Sequence, residues 1–356
     1  MTTINKSNPV LVTGATGYVA GWIVKKLLDE GFTVHAAVRN PINKDSVSHL
    51  IQLAEKSKGS LKFFKADLLD EGAYDNAMKG CELVFHTASP FINKVNNPQR
   101  DLVDPALLGT SNVLESANRI ETVKRVVLTS SVAAIIGDAV DCQRYPGGIA
   151  TEEQWNFSST IDHQPYSYSK TLAERKAWEI AGKQKRWDLV VINPSLVIGP
   201  GIKPAFNSES FRIIKQLGDG TSRLGVPSFS IGVVDVRDLS EAHYDAGFLP
   251  EANGRHIISA QETSLLSLSQ MLSAHFGNDF HFAKGKLPRL MVLLMAPLAG
   301  FKRKMIKRNI GYPWRADNSK GIKVLGMKYR PIEKSITDMF QQMIDSGLVK
   351  DKRKKI

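Results

Sequence analysis

Tyr166-Ser167-Tyr168-Ser169-Lys170 holds the pattern Tyr-x-x-x-Lys at the head of a stretch with helical periodicity. A spacing of four places both side chains on one helix face. Hydride reduction of a carbonyl leaves an alkoxide that needs a proton. A free tyrosine, titrating near about 10, is a weak base for the reverse reaction, and a lysine ammonium beside it favours the phenolate. A third group should hydrogen-bond the carbonyl oxygen. Val126-Val127-Leu128-Thr129-Ser130-Ser131 is an apolar strand ending in hydroxyls. Ser131 is the first choice, with Ser130 as a backbone- or cofactor-facing alternative. Tyr168 has Leu172 four residues on, so it reads as a packing or pocket-wall tyrosine.

Hydride chemistry calls for a nicotinamide cofactor, and the head of the chain could hold one. Between the apolar run Val10–Thr13 and an amphipathic stretch lie Gly14-Ala15-Thr16-Gly17-Tyr18-Val19-Ala20. Gly14 allows a tight turn, Gly17 lets backbone approach a pyrophosphate, and Ala20 is the third small position, where helix meets strand. The helix start offers unpaired N–H groups and a positive dipole end to the phosphates. The second strand ends in Val38-Arg39-Asn40-Pro41. Arg39 stands where an NAD site would place an acid for the ribose hydroxyl, so it selects NADPH through the 2′-phosphate. Asp67, followed by Leu68, sits where the third strand would meet the adenine.

The elements that must position these residues alternate. Strands are expected at Val10–Thr13, Phe32–Val38, Leu61–Ala66, Leu83–Thr87, Val126–Thr129 and Leu189–Asn193, and helices at Gly17–Glu30, Asp101–Arg119 and Ser167–Lys185. Such alternation means parallel βαβ units. The fold expected is α/β, a Rossmann-type doubly wound parallel sheet with a smaller C-terminal substrate lobe. Residues 1–195 would form the NADP-binding half. Strands at Ile231–Val236 and His256–Ser259 would lie in a segment, 231–260, that returns to it. Residues 196–230 and 261–356 would form the substrate lobe, with a helix over Leu265–Phe276.

The order of motifs resembles the extended short-chain dehydrogenase/reductases, over residues 9 to about 345. Within them it resembles the branch of dihydroflavonol reductases, cinnamoyl-CoA reductases and yeast-type aldehyde/ketone reductases. Besides the segments above, Lys65–Leu68, His86-Thr87-Ala88-Ser89-Pro90, Thr151-Glu152-Glu153-Gln154-Trp155, Asn193-Pro194-Ser195 and Val234–Asp238 carry the likeness. It implies Ser131, Tyr166 and Lys170 as a catalytic triad. It also implies cofactor contacts from Thr13, Gly14, Thr16, Gly17, Tyr18, Val19, Thr87, Ala88, Ser89 and Thr129, with Pro194 and Ser195 beside the nicotinamide. Asp235–Asp238 resembles a structural support. Residues 200–228 map onto no known pocket of the branch; Ser89–Ile92, Ile135, Phe206, Leu224 and Phe229 are expected as an apolar wall.

Composition narrows the alternatives. The 356 residues carry 47 basic and 35 acidic side chains. Residues 1–283 hold 28 and 30 of them, and residues 284–356 hold 19 and 5, so the basicity is confined to the last fifth. No recognition module accompanies it, and nucleic acid is not an expected partner. The apolar and basic stretch 287–308 is expected to be a solvated edge of the substrate lobe, with contact to an anionic membrane surface as its alternative. Two cysteines and eight histidines show no metal spacing, so no metal is expected. No apolar leader or run of roughly 20 residues is present, and the cytoplasm is the expected location. The expected function is NADPH-dependent reduction of an aldehyde or ketone by a monomer or homodimer. The rivals are a sugar-nucleotide epimerase or 3-hydroxysteroid-type dehydrogenase on the same fold, and a non-catalytic NADPH-sensing regulator.

Overall fold

A computed structural model describes residues 2–89, 95–203, 208–297 and 300–353. In chain order it begins with β1 (Val10–Thr13), α1 (Tyr18–Asp29), β2 (Thr33–Val38), α2 (Lys44–Glu55), β3 (Ser60–Lys65), α3 (Asp75–Met78) and β4 (Leu83–His86). Next come α4 (Asp104–Arg119), β5 (Arg125–Thr129), α5 (Pro165–Ala181), β6 (Asp188–Pro194), β7 (Leu196–Ile198) and α6 (Glu209–Gly218). The remainder is β8 (Ser230–Asp235), α7 (Val236–Phe248), β9 (Gly254–Ile258), β10 (Gln261–Ser264), α8 (Leu265–Phe276), α9 (Arg289–Met295), α10 (Arg303–Asn309), α11 (Ser319–Leu325) and α12 (Ile332–Asp345).

Seven strands form one parallel sheet in the order β3-β2-β1-β4-β5-β6-β9. Alternation of side chains along each strand feeds two cores. Val10 and Val12 face one cluster with Val24, Leu27 and Leu239, whereas Leu11 faces the other with Val113, Leu114 and Ile180. Both faces are thus covered by helices, as the Rossmann-type reading requires. The strand order reverses between β1 and β4, and ligands bind outside the carboxyl ends of strands at such a point.

The segment 231–260 divides. β9 joins the large sheet beside β6, but β8 pairs with β7 and β10 in a separate three-stranded sheet. The expected return of this whole segment to the large sheet is therefore corrected: only β9 makes strand bonds there. β7 leads straight out of β6 and captures β8 as a parallel partner. Around this small sheet, Phe211, Phe276, Phe280, Phe282 and Phe340 build a third core with α6, α8 and α12.

One buried cation joins β5 to α7. Arg125 is 1% exposed, and its guanidinium donates to the carbonyls of Ala246, Gly247 and Leu249, the last at 2.6 Å. These are terminal carbonyls with no partner further along the helix. Replacing Arg125 with Met should lower the free energy of unfolding by about 3 kcal/mol, because it strands several buried acceptors at once. Urea unfolding checks this, and a loss well under about 1 kcal/mol would mean that water takes over the bonds.

Candidate active site

At the β1 edge, Gly14 has φ +62°, and a Cβ there would lie 3.0 Å from the Ala88 backbone. Only glycine lets the turn close against β4. α1 then starts just after Gly17 without any side-chain cap, so its first N–H groups are left unpaired by any cap. Arg39 follows β2, exposed, with no hydrogen bond or ion pair to any described residue. Ser195, just past β6, is buried, and its hydroxyl has no partner among the described residues. An uncapped helix start, a cradle that a Cβ would fill, a free guanidinium and an orphan hydroxyl fit a phosphorylated dinucleotide laid across these strand ends.

Tyr166 is the second residue of α5 and 52% exposed; its hydroxyl has no partner among the described residues. The Lys170 ammonium stands 5.8 Å from the Tyr166 ring centre and donates to Ser89 Oγ at 3.1 Å. The lysine therefore links α5 to the end of β4, in a crevice also lined by Ala88, Thr129 and Ser130. The two serines after β5 face different ways. Ser130 is buried and donates to Glu174 Oε2 at 2.5 Å, so its proton is engaged within the fold. Ser131 accepts from the Ala133 N–H at 3.1 Å, which leaves its own proton free to donate.

Two buried acids frame α5, and neither was expected. Glu174 accepts from Ser130 and from Asn193 Nδ2 at 2.7 Å and is ion-paired with Arg255 Nε at 2.6 Å. Asn193 also donates to the Ser131 carbonyl at 3.1 Å, so this network holds the serine turn. The sequence did carry a signal: Glu174 lies four residues after Lys170 and eight after Tyr166, on their helix face. Asp138 accepts from His163, Gln164, Asn309 and Arg308, whose guanidinium also reaches Asp141 at 2.7 Å. Gln164, in the left-handed region at φ 58°, immediately precedes Pro165 and Tyr166. Burial works against the Asp138 carboxylate, but the bonds from His163, Arg308, Asn309 and Gln164 outweigh it and hold its pKa below the usual value.

Several expected contacts have other partners. The Thr13 hydroxyl is wholly buried and accepts from the N–H groups of Thr87 and Ala88, so its proton goes to His86 Nδ1 at 3.0 Å. The Thr13 hydroxyl thus ties β1 to β4. Burial, and then Lys170, push the His86 pKa down to about 3, so it stays neutral. The Thr87 hydroxyl donates to the Thr13 carbonyl. The Thr129 hydroxyl donates to His243 Nε2 at 2.7 Å, since Nδ1 of that ring must serve the Leu239 carbonyl. The Tyr18 hydroxyl donates to the Gly199 carbonyl at 2.6 Å, leaving its backbone N–H, and those of Thr16 and Val19, at the turn. Asp67 accepts from the Leu69 N–H at 3.0 Å, and the Leu68 side chain fills the space over Gly109. Pro194 ends β6 beside β9.

The expected apolar wall is not assembled by the described residues. Ile135 is fully buried with Ile136, Tyr145 and Ile257, Leu224 points to solvent, and Phe229 packs on α9 and α10. Pro90–Ile92 and Phe206 lie outside the described residues. Asp235 accepts from Arg237, and Asp238 from Arg330, which matches the structural part expected of that segment. Both cysteines are buried thiols, and no cluster of metal-binding side chains occurs among the described residues.

Residues 10–246 match the NAD dependent epimerase/dehydratase family. The chain belongs to that family. It is 36% identical over 346 residues to a cinnamoyl-CoA reductase of Medicago truncatula, covering 96% of this chain and 98% of that protein. It is 32% identical over 337 residues to a dihydroflavonol 4-reductase of Callistephus chinensis, covering 95% and 85%. Among solved structures it is similar to a yeast methylglyoxal/isovaleraldehyde reductase complexed with NADPH, with TM-score 0.77, 26% identity and coverage of 95% and 99%. The resemblance read from the motifs is borne out at the level of the family and its reductase branch.

Arg308 comes from the basic C-terminal segment and neutralises two acids of the body. Replacing it with Ala should cost roughly 2 kcal/mol of stability at neutral pH, less than the about 3–5 of a fully buried pair because its side chain keeps 29% exposure. Since the folded Asp138 pKa is depressed, the contribution is complete above the ordinary carboxylate pKa and is lost as pH falls through the lower folded value. Denaturation of both proteins across that acid range checks it. Equal losses at neutral and acid pH would contradict the pairing.

Proposed function

We propose that this protein reduces the carbonyl of an aldehyde or ketone with NADPH, using Ser131, Tyr166 and Lys170. The observation that carries the reading is the placement of the Tyr166–Lys170 pair. Lys170, beside Tyr166, reaches Ser89 at the end of β4 and lines a crevice with Ser89 and Ala88, the residue against which the Gly14 turn closes. The cinnamoyl-CoA reductase and dihydroflavonol 4-reductase relatives support it, as does the yeast reductase complexed with NADPH.

Gly14, Gly17 and the start of α1 hold the pyrophosphate, Arg39 the 2′-phosphate, and Pro194 and Ser195 the nicotinamide side. When bound, the reduced cofactor supplies the hydride. Ser131 donates a hydrogen bond to the carbonyl oxygen, for which its proton is free. Tyr166 delivers the proton that the developing alkoxide needs, and the Lys170 cation stabilises the phenolate that remains. Residues 196–230 and 261–356 supply the substrate lobe. The protein acts in the cytoplasm as a monomer or homodimer; no helix of the described residues is long and apolar enough to cross a membrane.

NADPH oxidation against aromatic aldehydes, diketones, β-ketoesters and dihydroflavonols tests the reading directly. Tyr166→Phe should lower kcat by at least about 100-fold, the scale of positioned proton transfer, while NADPH binding measured by fluorescence stays unchanged. Full activity in that variant would refute the mechanism. Arg39→Asp should lower the preference for NADPH over NADH by at least about tenfold, since a charge-assisted phosphate contact becomes a repulsion. An unchanged ratio of kcat/KM values would remove Arg39 from the cofactor site.

A further inference from the structure

Between Asp279 and Asp317 the chain has nine basic residues and no acidic one. Two short helices in this stretch, α9 and α10, pack on each other through Val292, Ala296, Ile306 and Ile310. Their outer faces are bare. Leu290 and Leu294 are 70% and 60% exposed, and Met291 and Met295 beside them are also exposed. Each pair is spaced by four, so the helix presents a continuous apolar strip to solvent. Arg303, Lys304 and Lys307 stand exposed on α10, with no acidic partner among the described residues.

We propose that this face docks on an anionic phospholipid surface, α9 lying flat with its outer side chains at the acyl boundary and α10 meeting the headgroup phosphates. Charge complementarity picks the occupant. A second copy meeting this face about a two-fold axis would set the same cations against each other. Nucleic acid would satisfy the cations but leave the aliphatic strip in water. An anionic bilayer satisfies both.

The patch is anchored to the catalytic half. The Lys302 ammonium donates to the Asp162 carbonyl at 2.5 Å, and Arg308 holds Asp138, so both fix it to the segment that leads into Tyr166. Docking brings this side of the molecule to the interface, where apolar carbonyl compounds concentrate. The docking itself does not depend on the reductase reading.

The test is sedimentation of the full chain with vesicles of phosphatidylcholine alone or containing phosphatidylglycerol, at low and high salt. Binding is expected only to the anionic vesicles and should weaken as salt screens the charges. Changing Arg303, Lys304 and Lys307 together to Glu should lower the partition coefficient by at least about 100-fold. Leu290→Ser with Leu294→Ser should lower it by at least about tenfold at unchanged charge. Both variants should keep the wild-type circular dichroism and melting temperature. Four results would overturn the proposal: no binding of the wild-type chain to anionic vesicles, undiminished binding of the leucine variant, tighter binding to a polyanion without acyl chains, or a dimer that either variant dissociates.

Discussion

A carboxylate removed from water must be given a cation, or burying it costs several kcal/mol. Asp138, Glu174 and Asp235 are all essentially without exposure, and each receives a guanidinium, the first two from distant parts of the chain and the third from two residues on. Arg308 serves Asp138, Arg255 serves Glu174, and Arg237 serves Asp235 while reaching on to Asp338 in α12. The first two pairs hold α5, one at the residue before it and one within it. Gln164, which leads into that helix, bonds Asp138, and Ser130, one residue before the candidate carbonyl donor, bonds Glu174. The position of α5 therefore rests on arginines that β9 and the C-terminal segment bring in.

This requirement accounts for part of the uneven charge. Residues 1–283 are near neutral by count, but several of their acids are buried and meet cations of the last fifth. Arg308 takes Asp138 and Asp141, and Arg330 takes Asp238. Lys320 donates to the carbonyls of Asn253 and Arg255 at the head of β9. These contacts fasten the terminal segment to the large sheet. The cations of α10 other than Arg308 do none of this, and they stand beside the exposed apolar strip of α9.

Local pattern was enough wherever an element's identity rests on local physics. The helix Leu265–Phe276 was read to the residue, because its apolar spacing stops at Gly277, which has φ +71°. Apolar runs located the strands of the large sheet within a residue or two. β10, Gln-Glu-Thr-Ser, has no apolar pattern and exists because β8 needs an antiparallel partner. β8 itself reads as a strand, but nothing local says which sheet it joins. Ile135 looked like pocket wall for the same reason: its partner Ile257 lies more than a hundred residues away. The tight turn at Gly14 and the shared face of Tyr166 and Lys170 were legible because a glycine pattern and a spacing of four state their geometry locally.

The hydroxyls around the crevice divide into those already engaged and those free, and this division separates frame from chemistry. Thr13 at the end of β1 and Thr129 and Ser130 at the end of β5 look equally suited to touch a ligand, yet each gives its proton to a neighbour within the fold. A group so bound must break a buried bond, costing about 1–3 kcal/mol, before it can serve a substrate. Ser131 differs by one position and one bond: it accepts from the Ala133 N–H, so its proton is uncommitted. Strand alternation turns Ser130 inward toward Glu174 and leaves Ser131 at the turn, and the inward serine anchors the turn that presents the outward one. Tyr166 has its hydroxyl free of described partners at the exposed start of a helix that the same glutamate, two turns further on, fixes to the fold. A rigid acid–guanidinium frame behind a few uncommitted donors is what proton delivery to a substrate oxygen requires, since the donors then need no rearrangement to act.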